Sequence, residues 1–336
     1  MKTATLNKPV RPAISPRTTK RKNAVSRMKI RKILVPVDFS EASLAAIDRA
    51  SRLATRFGAE LNLVHVFEPQ PPFVGTNDIP IYIPDAEAEV HAREHLRSVA
   101  EVHELPLRPE HIHVRKGRPY EEICYLAREL GMDLIVIPTR GNTGWKHLAL
   151  GSTAERVVRY SPCPVLIVRP GTKADENGQA PAGSVSFRNI VVPVDFSDFS
   201  REALDYAKNL AREFGSTLLL LHSVYLQYYV TNDEYARYDF PLVMEGLEKF
   251  AQEQMRELVR NTARDGIKVE SMLEVGHAGE QICDRAKDRN ADLIVTATHG
   301  RTGLKHALIG STAEFVVRHA SCPVLVVPTR SMQRVP

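Results

Sequence analysis

The chain repeats itself, and no other property of the sequence narrows its fold as much. ILVPVDFS at residues 33 to 40 returns as IVVPVDFS at 190 to 197, displaced by 157 positions. GWKHLALGSTAERVVR at 144 to 159 returns as GLKHALIGSTAEFVVR at 303 to 318, and SPCPVLIV returns as ASCPVLVV, both displaced by 159. A length of 336 residues accommodates two copies of a unit near the usual domain size of roughly 150 residues. The copies span residues 30 to 170 and 187 to 330. A Gly, Ala and Pro rich linker at 171 to 186 joins them, and a basic tail occupies 1 to 29.

Within the first copy, strand and helix signals alternate. Residues 32 to 37 form an apolar run with the length of a buried parallel strand. Ser40 can cap the following helix, whose apolar face includes Leu44, Ile47 and Leu53 and which Gly58 can end. A strand at 60 to 67, a Pro-rich loop, a polar helix near 85 to 104 and a strand near 111 to 116 come next. A helix from Tyr120 to Leu130, a strand at 133 to 138, a helix from Ser152 and a last strand at 165 to 169 complete the unit. Such alternation predicts right-handed crossovers. The fold class is therefore α/β: two tandem open-twisted parallel five-stranded sheets, Rossmann-like, with helices on both faces. The last strands, 165 to 169 and 324 to 327, would leave apolar edges exposed unless they pair, so an intramolecular pseudo-dimer is expected.

Charge is unevenly placed. Residues 1 to 32 hold 11 of the 45 Lys and Arg and none of the 40 acids, so the remainder is net acidic. An acidic body argues against nucleic acid as a partner of the folded part. Lacking apolar periodicity, residues 1 to 27 are expected to be disordered and removable, and Met28 could serve as a start. No run of about 18 apolar residues is long enough to span a membrane. The four cysteines form no close metal or redox pair, which predicts buried structural thiols in a reducing cytoplasm.

Ligands of open parallel sheets bind beyond the carboxyl ends of the strands, where strand order reverses. Asp38 and Asp195 end the first strand of each copy; either carboxylate can accept hydrogen bonds from a ribose hydroxyl or simply stabilise a turn. Nine residues separate Gly141 from Gly151, Ser152 and Thr153, and nine separate Gly300 from Gly310, Ser311 and Thr312. Glycine lets a phosphate approach the backbone, and the first-turn amides of the next helix point at the anion; the bland alternative is a tight turn and a capped helix. Arg140 and His299 beside the glycine, and Lys146-His147 matching Lys305-His306, could neutralise phosphate or remain solvated. No Gly-Lys pair exists, which excludes a Walker-type lysine. His91, Glu94 and His95 spell an H-x-x-E-H zinc-hydrolase pattern that the second copy lacks, so an exposed polar face is the expectation there.

Through the PVDFS strand endings, the THGRTGLKHALIGSTAE loop and the CPVLVV terminal strand, the chain resembles the universal stress protein family over both copies. Nucleotide-binding members are similar in carrying Gly-x-x-Gly, nine residues, then Gly-Ser/Thr. Here Pro138 and Ala297 stand at the leading glycine. Proline removes a donor that alanine keeps, so the second copy, with Asp195, Ala297, Gly300, Gly310, Ser311 and Thr312, is the more complete site. The first, with Asp38, Gly141, Gly151, Ser152 and Thr153, is a degenerate one. The resemblance implies an adenine edge near Val66 or Ser223, ATP as ligand with Mg or Mn held by its phosphates, and no protein metal site. No residue of the sequence stands out as placed to activate a water or serve as nucleophile, so no dedicated catalysis beyond slow ATP hydrolysis is expected, with an unknown protein partner and room for a further homodimer. A nucleotide-independent interaction module is the alternative.

Overall fold

The computed structural model describes residues 29–68, 85–139, 150–169, 185–225, 240–298 and 309–328. In the first unit β1 (Lys32–Pro36), α1 (Glu41–Phe57), β2 (Glu60–Phe67), α2 (Asp85–Val102), β3 (Ile112–Lys116), α3 (Pro119–Glu129), β4 (Leu134–Pro138), α4 (Ser152–Tyr160) and β5 (Val165–Val168) follow in turn. The second repeats the order with β6 (Asn189–Pro193), α5 (Asp198–Phe214), β7 (Thr217–Val224), α6 (Phe240–Arg264), β8 (Lys268–Val275), α7 (Ala278–Asp288), β9 (Leu293–Ala297), α8 (Ser311–His319) and β10 (Val324–Val327). The local signals explain the ends of α1. Ser40 Oγ accepts the N–H of Ser43 at its start, and Gly58 closes it with φ 64, a conformation glycine adopts without steric cost. All but residue 29 of the expected tail and all but residues 185 and 186 of the expected linker lie outside the described residues, as do Gly141, Gly300, Arg140, His299, Lys146, His147, Lys305 and His306.

The two expected five-stranded sheets are halves of one. Its strand order is β3-β2-β1-β4-β5-β10-β9-β6-β7-β8, parallel within each half and antiparallel at the central β5–β10 pair. Leu166 lies opposite Leu325, its own counterpart in the repeat, so a pseudo-twofold passes through that pair. The pairing expected of the last strands is thus present, and it removes the two apolar edges that separate units would expose. Helices α1, α2, α5 and α6 pack on one face, where Ile47, Leu53, Leu96, Leu204, Leu210 and Met255 are buried in one cluster. On the other face lie α3, α4, α7 and α8, burying Ile123, Leu126, Val157, Ile282 and Val316. Each cluster runs through both units. Across the axis Arg318 pairs with Glu155 at 3.0 Å, Arg169 donates to the carbonyls of Val317 and Arg318, and Arg56 pairs with Glu213 at 3.1 Å beside the edge-on rings of Phe57 and Phe214.

Candidate functional site

Strand order reverses between β1 and β4 and again between β6 and β9, and a cavity opens at each reversal. The first, of about 310 Å3, is walled by Asp38, Val66, Pro138, Thr139, Gly151, Ser152 and Thr153. The second, of about 250 Å3, is walled by Asp195, Ser223, Ala297, Thr298, Gly310, Ser311 and Thr312. Every described residue named from the sequence as a nucleotide-site candidate therefore lines one of two equivalent clefts.

The aspartate of each cleft is held by a turn of unusual backbone. Asp38 Oδ1 accepts both the N–H (3.1 Å) and the hydroxyl (2.6 Å) of Ser40, and Asp195 Oδ1 accepts the same pair from Ser197 at 3.1 and 2.6 Å. The turn and the cavity wall are thus both roles of one residue. Between aspartate and serine, Phe39 and Phe196 adopt φ 61 and 66, a region that bulky residues rarely enter. Their rings are held from the second strand: Phe39 lies 4.6 Å from His65 and Phe196 lies 4.3 Å from His222. Both imidazoles donate through Nδ1, His65 to the Val37 carbonyl at 2.8 Å and His222 to that of Val194 at 2.7 Å. A carbonyl only accepts, so Nδ1 carries the proton in each ring. Sequence reading missed this clamp, whose one visible trace was a histidine repeated at the same place in both copies.

At the other wall, Gly151 and Gly310 have φ −63 and −59, which any residue can adopt. What glycine supplies here is the missing side chain. Its amide is engaged: Gly151 N–H donates to Thr139 O and Gly310 N–H to Thr298 O, each at 2.8 Å. The donors aimed along the helix axis are those of the following three residues, beginning at Ser152 and Ser311, which lack intrahelical acceptors.

The difference at the leading position has a structural basis. Ile135 and Thr139 donate to Pro164 and Val168 beside β5, both at 3.0 Å, so position 138 faces the opposite side, toward β1. Pairing of β1 with β4 stops at Leu34–Ile135, and Pro138 therefore costs the sheet no hydrogen bond. In the second unit Ile294 and Thr298 donate to Pro323 and Val327, so Ala297 turns its N–H toward the β6 side, where pairing with β6 stops at Val191–Ile294. That N–H is a donor the first cleft lacks.

Elsewhere, Cys124, Cys163 and Cys322 are buried and Cys283 is partly so. Burial pushes the first three thiols up to about 12 and Cys283 to about 11, values that suit core packing and not nucleophilic chemistry. On α2, His91, Glu94 and His95 are all exposed, as expected of a polar face, and the His95 ring stacks on Phe39 at 3.9 Å. Among the described residues no helix is long and apolar enough to cross a membrane.

A model described as the universal stress protein family matches residues 29–169 and 186–328. A universal stress protein of Mycolicibacterium smegmatis is 26% identical over 314 residues, covering 89% of this chain and 97% of its own length. The universal stress protein MJ0531 of Methanocaldococcus jannaschii is 35% identical over 145 residues, 43% of this chain and 84% of that protein. Among solved structures, a universal stress protein from Archaeoglobus fulgidus aligns with TM-score 0.60 and 23% identity, over 89% of this chain and 97% of that one, which speaks for the same fold.

Proposed function

Because the chain belongs to the universal stress protein family, one unit in each half, we propose that it is a cytoplasmic stress-linked protein that binds ATP or a related adenine nucleotide and changes its choice of protein partner accordingly. One observation carries this reading: each cleft sets an anchored carboxylate, a second-strand wall and the open N-terminus of a helix around a single cavity, and does so twice. Asp195 accepts from a ribose hydroxyl, the backbone near Ser223 meets the adenine edge, and the first-turn amides of α8 from Ser311 receive phosphate. Ala297 adds the donor that makes the second unit the stronger site, and Asp38, Val66, Ser152 and Thr153 form the weaker one. A divalent ion, Mg or Mn, travels with the phosphates.

The protein acts by binding. Nothing about the anchored aspartates marks a general base, since each has one carboxylate oxygen committed to its serine. Mass spectrometry of ligand released from purified protein, followed by calorimetric titration with ATP, tests the reading. Adenine nucleotide in the released material or a saturable heat supports it. Protein that carries none and gives no heat would favour a nucleotide-independent interaction module.

A further inference from the structure

Beside the first cleft lies a second cavity that shares its wall at Pro119, Ser152 and Thr153 and adds Glu68, Arg118, Tyr120 and Arg156. It touches the start of α4 at Ser152 and Thr153. Arg156 lies one helical turn beyond Ser152, on the same side of α4. Its guanidinium sits over the Tyr120 ring at 5.0 Å, and stacking on an aromatic face leaves the planar fork of N–H donors at its edge. Arg118 precedes α3 and meets Glu121 at 3.3 Å, both groups largely exposed. An exposed pair of this kind contributes little in water, so a multiply charged anion can take the arginine over. Glu68 is the one carboxylate among the described residues of the lining, against two guanidinium groups.

The second unit fills the same space differently. By the repeat, His277 stands for Arg118, Gly279 for Tyr120, Phe315 for Arg156 and Tyr225 for Glu68. A Cβ on Gly279 would meet the Phe315 ring at 2.6 Å, so that ring occupies the room a side chain at 279 would need. The aromatic ring thus comes from the third helix in one unit and from the fourth in the other. Where α3 supplies it, the facing position on α4 is open to a cation; where α8 supplies it, the cation is gone.

We propose that Arg118 and Arg156 make the first cleft a counter of phosphates: it selects polyphosphorylated nucleotides over monophosphates, while the second cleft, with His277 and Phe315 in their places, holds adenine nucleotides with little regard to phosphate number. This inference rests on the nucleotide reading of the clefts. Affinity in the second unit comes from backbone donors, which meet the first phosphate; selectivity in the first comes from the two guanidinium groups of the adjoining cavity.

Calorimetric titration of the full chain with ATP, ADP, AMP and inorganic tripolyphosphate tests the proposal, with Gly310→Val used to silence the second cleft. In that background ATP should bind at least about tenfold more tightly than AMP, and the preference should shrink as salt is raised, since screening acts over about 10 Å at 0.1 M. Arg156→Gln should bring the ATP to AMP ratio below about threefold. Tyr120→Gly with Arg156→Phe, which copies the packing of the second unit, should do the same while AMP binding persists. A ratio that survives both changes overturns the selection and leaves nucleotide binding standing. No heat from any adenine nucleotide in the parent chain sinks the nucleotide reading itself. Should Gly310→Val not fold, the same ratios are read from the two-site isotherm of the parent and its Arg156→Gln variant, with the same outcomes deciding.

Discussion

The two clefts of this chain are copies within one repeat and differ at opposite ends. The first has no backbone donor at Pro138 and has two guanidinium groups beside the helix start; the second has the donor at Ala297 and an aromatic ring at the place of one of those cations. What remains alike is the frame: the aspartate turn with its positive-φ phenylalanine, the imidazole that locks it, and the glycine amide tied to threonine. Conformational strain of about 1–3 kcal/mol at each phenylalanine persists only where the surroundings overdetermine it. The frame recurs in both units while the walls differ, so the two units differ in the lining of their clefts and not in the turn that supports it.

The joint between the units is the place where they should behave identically. Leu166 and Leu325 face each other on the pseudo-twofold and are fully enclosed. Leu166→Ala and Leu325→Ala should each lower stability by about 3 kcal/mol, the usual loss for a core leucine, and by the same amount within about 1 kcal/mol. Denaturant unfolding checks this, and clearly unequal losses would break the twofold description of the joint.

The clefts should part company when their glycines are changed. Gly310→Val fits the backbone, since φ −59 suits valine, but sets a branched side chain where phosphate must approach. ATP binding should fall by roughly two orders of magnitude, about 2.7 kcal/mol, while Gly151→Val should cost far less. Calorimetry decides between them: equal losses would make the clefts equivalent, and a loss confined to Gly151→Val would reverse their order.

A reciprocal swap isolates the single donor. Because position 297 faces away from β10, Ala297→Pro should leave the sheet intact and weaken ATP at the second cleft by about tenfold, the worth of one hydrogen bond to a charged group. Pro138→Ala should strengthen the first cleft, by less. A swap that moves neither affinity would detach the leading position from binding altogether.

How far the sequence could be read follows from the distance over which each feature is decided. The strands and helices were legible because apolar runs, Ser40 and Gly58 act on their own neighbours. The parallel halves and their central pairing were legible because the repeat exposed two apolar edge strands. Asp38, Ser152 and Thr153 could be assigned to one cleft because each sits at the end of an element whose place in the sheet was predictable, whereas Val66 was placed there by the family resemblance alone. The commitment of the Gly151 amide to Thr139 was not legible, nor was the His65 clamp on Val37, because each joins segments that only the fold brings together. The exchange of Tyr120 and Arg156 for Gly279 and Phe315 is visible in the aligned copies, but its meaning needs the Phe315 ring in the room beside Gly279.

The smallest expected effect concerns a polar pair that one unit buries and the other does not. Across β2 and β3, His113 Nε2 donates to Asn62 Oδ1 at 3.1 Å, and Asn62 Nδ2 is buried without a partner. At the equivalent places of β7 and β8 stand Leu219 and Met272. Burial, aided by Arg115 and His111, lowers the His113 pKa below its ordinary 6.5, against a raising influence from Glu129. The unfolded chain therefore binds the proton more readily than the folded one in the window just below pH 6.5. Stability contributed by neutral His113 is full above that value and is lost as pH falls toward the depressed folded value. Asn62→Leu with His113→Met, which installs the pair of the second unit, should relieve the unmet donor and stabilise the chain by about 1 kcal/mol at pH 8. The gain should widen at pH 5.5, where the parent must protonate a partly buried ring and the variant has none. Urea unfolding of both chains at the two pH values measures it, and a gain that stays constant or narrows on acidification would show that His113 carries no acid-sensitive cost in the first unit.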